Sequence, residues 1–261
     1  MKIFKLINKI LWFLVRPKYY LHFTKLILKK IKLNFQKNSE ILNWCLKNSI
    51  ENEKAIELIC GSNDFKKVND EHKDIFSEAV IKVKNCPVKM GGSGNIDLLF
   101  NLCEHFKVRN VLETGVAYGW SSLSILLSIS KRDNYKLIST DMPYPGLNNS
   151  KYVGLVVPEY LKKNWKLIRE SDSIGLPKVL KNETNFDLCH YDSDKYYEGR
   201  MWAYPKLWKA LKKGGLLVSD DIENNNAFKH FSESLNKQPY IIRFRNKNKS
   251  VGYQFVGVLI K

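Results

Sequence analysis

The chain has 261 residues, enough to bury a substantial core either as one large domain or as a core with an appendage. Its formal net charge is +17, and residues 1–37 hold ten Lys and Arg and no acid, so the arm they form implies an anionic partner surface, membrane or nucleic acid. Five scattered cysteines (Cys45, Cys60, Cys86, Cys103 and Cys189), odd in number and without a C-x-x-C pair, fit a reducing compartment and argue against a disulfide frame or a zinc site.

Within residues 1–15, Ile3, Leu6, Ile7, Ile10, Leu11 and Leu14 recur at helical spacing on one face. Lys2, Lys5 and Lys9 lie off that face, and Phe4, Trp12 and Phe13 flank it. Arg16-Pro17 ends this helix, and a second basic amphipathic piece follows, with Leu21, Leu28 and Ile31 among Lys25, Lys29, Lys30 and Lys32. No segment has the length of a transmembrane helix. The Ile10–Val15 run is too short for a signal h-region, is stopped by Arg16-Pro17, and has no small-residue cleavage site behind it. The expectation is a cytoplasmic protein. Two readings of the arm stay open. Residues 1–35 lie on an anionic leaflet as an interfacial helix, which would make the protein peripheral at the inner membrane face. Alternatively the apolar face packs on the catalytic domain or on a second subunit, the latter giving a homodimer.

Residues 38–86 read as a helical cover, two or three helices rich in Glu, Lys and Asn, broken at Gly61-Ser62-Asn63-Asp64. No internal repeat is visible. Met90-Gly91-Gly92-Ser93-Gly94-Asn95 is a glycine-rich loop leading into a helix over Ile96 to Phe106. It either folds over a bound ligand or serves as a plain linker.

The stretch Arg109 to Ser122, RNVLETGVAYGWSS, is the most informative part of the chain. Val111 and Leu112 end a buried strand, Glu113 follows, Gly115 to Gly119 form a tight turn, and Ser121 to Ile129 open an apolar helix. Such a strand, glycine turn and helix let a ligand approach the backbone and aim helix N–H groups at it. The spacing is E-x-G-x-x-x-G. It lacks the third glycine of a dinucleotide fingerprint and the G-K-[ST] of a Walker loop. The segment resembles motif I of the class I S-adenosylmethionine-dependent methyltransferases, which bind a ligand carrying an amino acid and no phosphate.

Tyr135 to Asp141 reads as a second strand ending in an acid, and Asp141 is the expected acceptor of two ribose hydroxyl hydrogen bonds. The letters Asp141-Met142-Pro143-Tyr144 look like the D-P-P-Y of base amino-group methylation, but lack the second proline and follow the wrong strand. After a loop over Pro143 to Lys151 and a helix near Pro158 to Asn164, a third strand, Trp165 to Ile168, leads to Ser171 and Asp172, expected on the adenine side. Phe186 to Asp192 is a fourth strand, and Leu216 to Asp221 a fifth, preceded by Gly214-Gly215 at a helix end. The tail, Ile241 to Arg245 and Tyr253 to Ile260, reads as a hairpin. The expected fold is α/β: a Rossmann-like, doubly wound seven-stranded sheet, mostly parallel with a C-terminal antiparallel hairpin, over residues 87–261, plus the N-terminal helical extension.

Asp192, Asp194, Asp220 and Asp221 stand at the ends of the fourth and fifth strands. Carboxylates gathered at one edge repel unless a cation sits among them, and Mg²⁺ or another divalent ion would fit. Such an ion could lower the pKa of a substrate hydroxyl and hold it for attack on the sulfonium methyl. Lys195 could take the proton if burial and the ion depress its pKa. The plainer reading makes these acids helix caps and solvated loop residues.

From about Pro87 onward the chain resembles the small-molecule O-methyltransferases of class I, in the branch whose fourth motif reads H-x-D-S-D-H-x-Y. Here the residues are His190-Tyr191-Asp192-Ser193-Asp194-Lys195-Tyr196-Tyr197-Glu198-Gly199. The Glu113-Thr114-Gly115 turn, the Gly154 to Pro158 segment and Gly214-Gly215 through Asp220-Asp221 match as well. Catechol O-methyltransferase and its relatives share E-x-G-x-x-x-G-[YW]-S. The resemblance implies a metal on Asp192, Asp220 and Asp221 and a catalytic lysine at Lys195, with Asp221 where that family often has Asn. Lys195 stands where the closer branch usually has His.

The resemblance further implies that Glu113, Gly115, Tyr118, Gly119 and Ser121 hold the methionine part of S-adenosylmethionine, Asp141 the ribose, and Ser171 and Asp172 the adenine side, with Asp192 both a cofactor-binding and a catalytic residue. The expected activity is metal-assisted O-methylation of a hydroxyl on a sugar, a glycan or another small molecule. RNA or protein methylation is the alternative suggested by the charge, although no RNA-binding pattern is present and nucleic acid is not the expected partner. A third reading is a non-catalytic membrane-associated module that retains the fold. His22, His72, His105 and His230 read as structural or surface residues, and Trp202, Tyr204 and Trp208 as core.

Overall fold

Short β-branched and apolar runs form one sheet in the computed structural model, which describes residues 2–20, 22–24 and 39–261. The arm begins with α1 (Lys2–Leu14) and a 3₁₀ turn, Pro17–Tyr19. Helices α2 (Ser39–Asn48), α3 (Asn52–Cys60), α4 (Val68–Glu71) and α5 (Lys73–Lys84) follow, with the two-residue strand β1 (Ser49–Ile50) between the first two. The α/β body then runs α6 (Ile96–His105), β2 (Asn110–Thr114), α7 (Trp120–Ile129), β3 (Lys136–Thr140), β4 (Trp165–Ile168), α8 (Asp172–Leu180) and β5 (Phe186–Tyr191). It ends with α9 (Tyr197–Ala210), β6 (Leu211–Asp220), α10 (Ala227–Ser234), β7 (Tyr240–Arg245) and β8 (Tyr253–Ile260).

The sheet has eight strands in the order β1-β7-β8-β6-β5-β2-β3-β4. Strands β2 to β6 pair in parallel, and β8 lies antiparallel to both β6 and β7. The seven expected strands are present. The eighth, β1, pairs in parallel with β7 and is too short to leave a periodic pattern. Gly214 and Gly215 lie inside β6 rather than ahead of it, since α9 runs directly into that strand.

Strand β5 is buried along its whole length, as a central parallel strand covered on both faces must be. One apolar cluster packs α3, α6 and α7 on one face of the sheet. A second packs α2, α8, α9 and α10 on the other. From β2 the sheet runs outward through β3 and β4 in one direction and through β5 and β6 in the other. That reversal opens a crevice at the C-terminal ends of β2 and β5, the binding edge of a doubly wound sheet.

The helix expected at the start of the arm is present, and among the described residues its apolar face is open to solvent. Leu11 and Leu14 are 52% and 55% exposed, and Ile7, Ile10 and Val15 are also open to solvent. The flanking aromatics Trp12 and Phe13 pack within the arm. Phe13 is buried and stacks on Phe23 and His22, and Trp12 meets Tyr19. Tyr19 is fully buried and donates to Glu170 Oε2 at 2.6 Å, while Lys18 donates to Oε1 at 2.9 Å. The second amphipathic piece, with Leu21, Leu28, Ile31, Lys25, Lys29, Lys30 and Lys32, lies outside the described residues, as do the side chains of Ile3 and Leu6. No helix among the described residues is long and apolar enough to cross a membrane.

Candidate active site

The glycine turn follows β2 as its sequence predicts, and two of its residues need to be glycine. Gly115 has φ +83°, and a side-chain carbon there would collide with the Asp192 carbonyl. Gly119 has φ +91°, and the same atom would lie 2.9 Å from Gly154 Cα. The 154–157 segment is held against the turn by Gly154 N donating to Ala117 O at 3.0 Å and Val156 N to Tyr118 O at 3.1 Å.

Glu113 sits beneath this turn, fully buried. It accepts hydrogen bonds from Ser121 Oγ at 2.6 Å, Ser122 Oγ at 2.5 Å and Ser139 Oγ at 2.7 Å. His190, also buried, has Nδ1 3.6 Å from Glu113 Oε1 and Nε2 3.5 Å from Asp220 Oδ1. Burial works against the imidazolium, but Asp220 and Glu113 outweigh it and raise the His190 pKa to about 10. Three strand ends are thereby joined by a buried row of alternating charge.

A cavity of about 1400 Å³ opens above. Its lining includes residues 91–94, 115–117 and 171–173, residues 192–196, Ser121, Asp141, Asp220, Asp221, and residues 244–249 of the β7–β8 hairpin. The glycine-rich 91–94 loop is therefore cavity wall, not a bare linker. Three residues expected to touch a ligand do not line the cavity: Glu113, Tyr118 and Gly119. Glu113 has its oxygens committed to serines, Gly119 packs on Gly154, and the Tyr118 hydroxyl donates to Val88 O at 2.7 Å. They shape the turn from behind. Conversely, His22 and Trp202, read from sequence as structural, both reach the cavity.

Asp141 lines the cavity with both oxygens engaged. Oδ1 accepts from Val116 N at 2.9 Å, and Oδ2 is ion-paired to Arg169, whose Nη1 also donates to the Asp141 carbonyl at 3.1 Å. Asp172, in the first turn of α8, accepts from the Ser193 hydroxyl. Burial pushes its pKa up to about 6, with the Ser193 bond opposing.

At the far end the strand-end acids meet lysines. Lys195 Nζ is ion-paired to Asp192 and lies 2.9 Å from Asp221 Oδ2. Lys249, from the hairpin turn, lies 2.9 Å from Asp221 Oδ1 and 2.8 Å from Glu223 Oε1. Burial favours neutral Lys195, but the two carboxylates outweigh it and raise its pKa, so it stays protonated. Burial likewise raises Asp221, yet Lys195 and Lys249 bring it down to about 2, whereas Asp192 remains raised, to about 6, by its own burial. The expected proton acceptor Lys195 is here an ammonium that donates to two carboxylates.

The same contacts bear on the expected metal. Three carboxylates that ligate one ion must converge on it. Here an ammonium stands between Asp192 and Asp221, Asp220 turns to His190, and no group of three or more His, Cys, Asp or Glu among the described residues is arranged to hold an ion. In this arrangement the residues do not fit a divalent metal. Buried Arg200 fixes the edge from below, donating to Asp220 O at 2.9 Å and Asp194 O at 3.3 Å. Arg169, Arg200, Glu223 and Lys249 were not singled out from the sequence. Lys249 lies 28 residues from Asp221, and no local pattern announces such a contact.

A family model described as a methyltransferase domain matches residues 112–222. Among solved structures, an O-methyltransferase from Bacillus cereus in complex with SAH is similar at TM-score 0.55 and 11% identity, over 80% of this chain and 96% of that one. TomG from Streptomyces achromogenes, an O-methyltransferase involved in tomaymycin synthesis and solved with SAM, is similar at TM-score 0.55 and 15% identity, over 81% and 99%. No curated protein matches the chain. Around its methyltransferase domain, the chain therefore has the fold of the class I S-adenosylmethionine-dependent O-methyltransferases.

Proposed function

We propose that this chain transfers a methyl group from S-adenosylmethionine to a hydroxyl of a small-molecule acceptor, with a sugar or glycan as the acceptor class. The observation that carries the reading is one continuous cavity that joins the glycine turn and the β3 and β4 ends to the Asp192–Lys195–Asp221 edge. The turn suits the cofactor, because at Gly115 the backbone is bare where a side chain would intrude. When bound, S-adenosylmethionine supplies the sulfonium methyl.

On this reading the backbone of residues 115–117 and Ser121 bracket the methionine part. Asp141 receives the ribose hydroxyls while Arg169 holds its second oxygen, and Ser171 and Asp172 receive the adenine side. Glu113, Tyr118 and Gly119 act behind the turn. Asp192 accepts the proton of the acceptor hydroxyl, as its burial-raised basicity suits. The Lys195 ammonium stabilises the negative charge that develops on the acceptor oxygen, and no step is assigned to a divalent ion. The basic arm, residues 1–35, meets an anionic membrane surface, a reading supported by exposed Leu11 and Leu14 among cations with no acid nearby in sequence.

Calorimetric titration with S-adenosylhomocysteine on wild type and Asp141→Ala, followed by transfer of radiolabelled methyl to a glycan panel, tests the enzyme. Binding weakened by Asp141→Ala is expected, and absence of binding to the wild type overturns the reading. Pelleting with vesicles tests the arm: Leu11→Asp/Leu14→Asp should stay in the supernatant, and pelleting equal to wild type removes the membrane.

A further inference from the structure

A second cavity, of about 440 Å³, lies between the arm and the 143–150 loop. Three cations from separate parts of the chain line it: Arg16 after α1, Lys18 in the 3₁₀ turn, and Arg169 after β4. No carboxylate is among its lining residues. The acid closest in sequence, Glu170, is occupied by Tyr19 at 2.6 Å, Lys18 at 2.9 Å and Lys178 at 3.1 Å.

Arg169 is the decisive residue. Its Nη1 is committed to Asp141, but Nε and Nη2 are buried and have no acceptor among the described residues. A guanidinium presents its five donors in a planar fork, and donors withdrawn from water without an acceptor are costly. Arg16 uses Nη1 on Trp12 O at 3.1 Å and lies over the Trp12 ring, 4.5 Å from its centroid, which holds it at the cavity. Lys18 is paired on one side with Glu170 and Arg169 with Asp141, but no carboxylate lines the space itself, and the open side of the Arg169 fork beside Arg16 calls for an anion with several acceptor oxygens.

We infer that this cavity binds a phosphate group, as a phosphate monoester or as the phosphodiester of an anionic lipid. The two sources differ in what they add. A lipid diester would lay its acyl chains along the exposed Leu11 and Leu14 of α1 and Val15 just after it, whereas a free phosphate ester would use the cavity alone. The inference is independent of methyl transfer and stands or falls separately from it.

The test uses the full-length protein and two probes. The first is inorganic phosphate, followed by calorimetry. The second is a pair of vesicles, phosphatidylcholine alone and equimolar phosphatidylcholine and phosphatidylglycerol. The variants are Arg16→Gln and Asn148→Asp. The second puts a carboxylate in the cavity without touching the arm's anchors, and thermal unfolding confirms that each is folded. Phosphate binding to the wild type, weakened about tenfold or more in both variants, is expected, the weight of one charge-assisted hydrogen bond. Phosphatidylglycerol-dependent pelleting that phosphate competes away and both variants lose assigns the site to lipid. Pelleting untouched by the variants, with phosphate binding still lost, assigns it to a soluble phosphate ester. No phosphate binding by the wild type, or equal binding by folded variants, overturns the inference.

Discussion

Lys195 Nζ lies 2.9 Å from Asp221 Oδ2 while also pairing with Asp192, so one ammonium ties the end of β5 to the end of β6. If that ammonium faces the acceptor oxygen in the transition state, Lys195→Met should lower kcat by about 10²- to 10³-fold, the loss seen when one oxyanion donor is removed. Lys195→Arg should recover part of it, because the charge is kept and only its geometry changes. Steady-state kinetics of the three proteins decide, and unchanged kcat in Lys195→Met rules the role out.

The burial that raises Asp192 to about 6 sets the acid limb of the reaction. A proton acceptor must be ionised, so kcat should rise with pH through about 6 and then level, since Lys195 remains charged across neutrality. Asp192→Asn should abolish both turnover and the limb. A wild-type profile flat across the acid range contradicts this assignment.

His190 gives stability a pH dependence of the opposite sense. Its folded pKa is raised from 6.5 to about 10, so its contribution is complete below about 6.5 and disappears as pH rises through about 10. The thermal midpoint should fall over that interval. His190→Asn should remove the slope and cost about 3–5 kcal/mol, because Glu113 and Asp220 then stay buried without their cation. Thermal denaturation of both proteins across the alkaline range measures it.

The arm should be held by one hydrogen bond more than by any other. Tyr19→Phe deletes the 2.6 Å bond to Glu170, worth about 1.5–3 kcal/mol for a charged acceptor. Hydrogen exchange should accelerate in residues 7–20 and leave the sheet unchanged. Burial tends to raise the Glu170 pKa, but Tyr19, Lys18 and Lys178 lower it from 4.5 to about 2, so this anchoring is complete above about 4.5 and is lost as pH falls from there through about 2.

Much of the architecture was legible because strands and glycine turns are local. The E-x-G-x-x-x-G spacing announced a strand, a turn and a helix, and each is there. What the spacing did not separate is a residue that touches a ligand from one that braces the turn. Glu113 has the same sequence context in either role, and only the convergence of Ser121, Ser122 and Ser139 distinguishes them. The acids at the strand ends were visible, but their counter-charges were not, since Lys249 arrives from a hairpin turn and Arg169 follows a different strand. In the arm, periodicity located the helix and left open what its aliphatic face meets. Trp12 and Phe13, flanking that face, pack on Tyr19, His22 and Phe23 within the arm.

The Tyr118 hydroxyl donates to Val88 O at 2.7 Å and accepts from Met90 N at 3.1 Å. Because Tyr118 belongs to the turn under the cofactor cradle and Val88 and Met90 belong to the approach of the glycine-rich loop, the floor and one wall of the large cavity are fastened to a single ring. Residues 91–94 are thereby tethered to the turn through Met90.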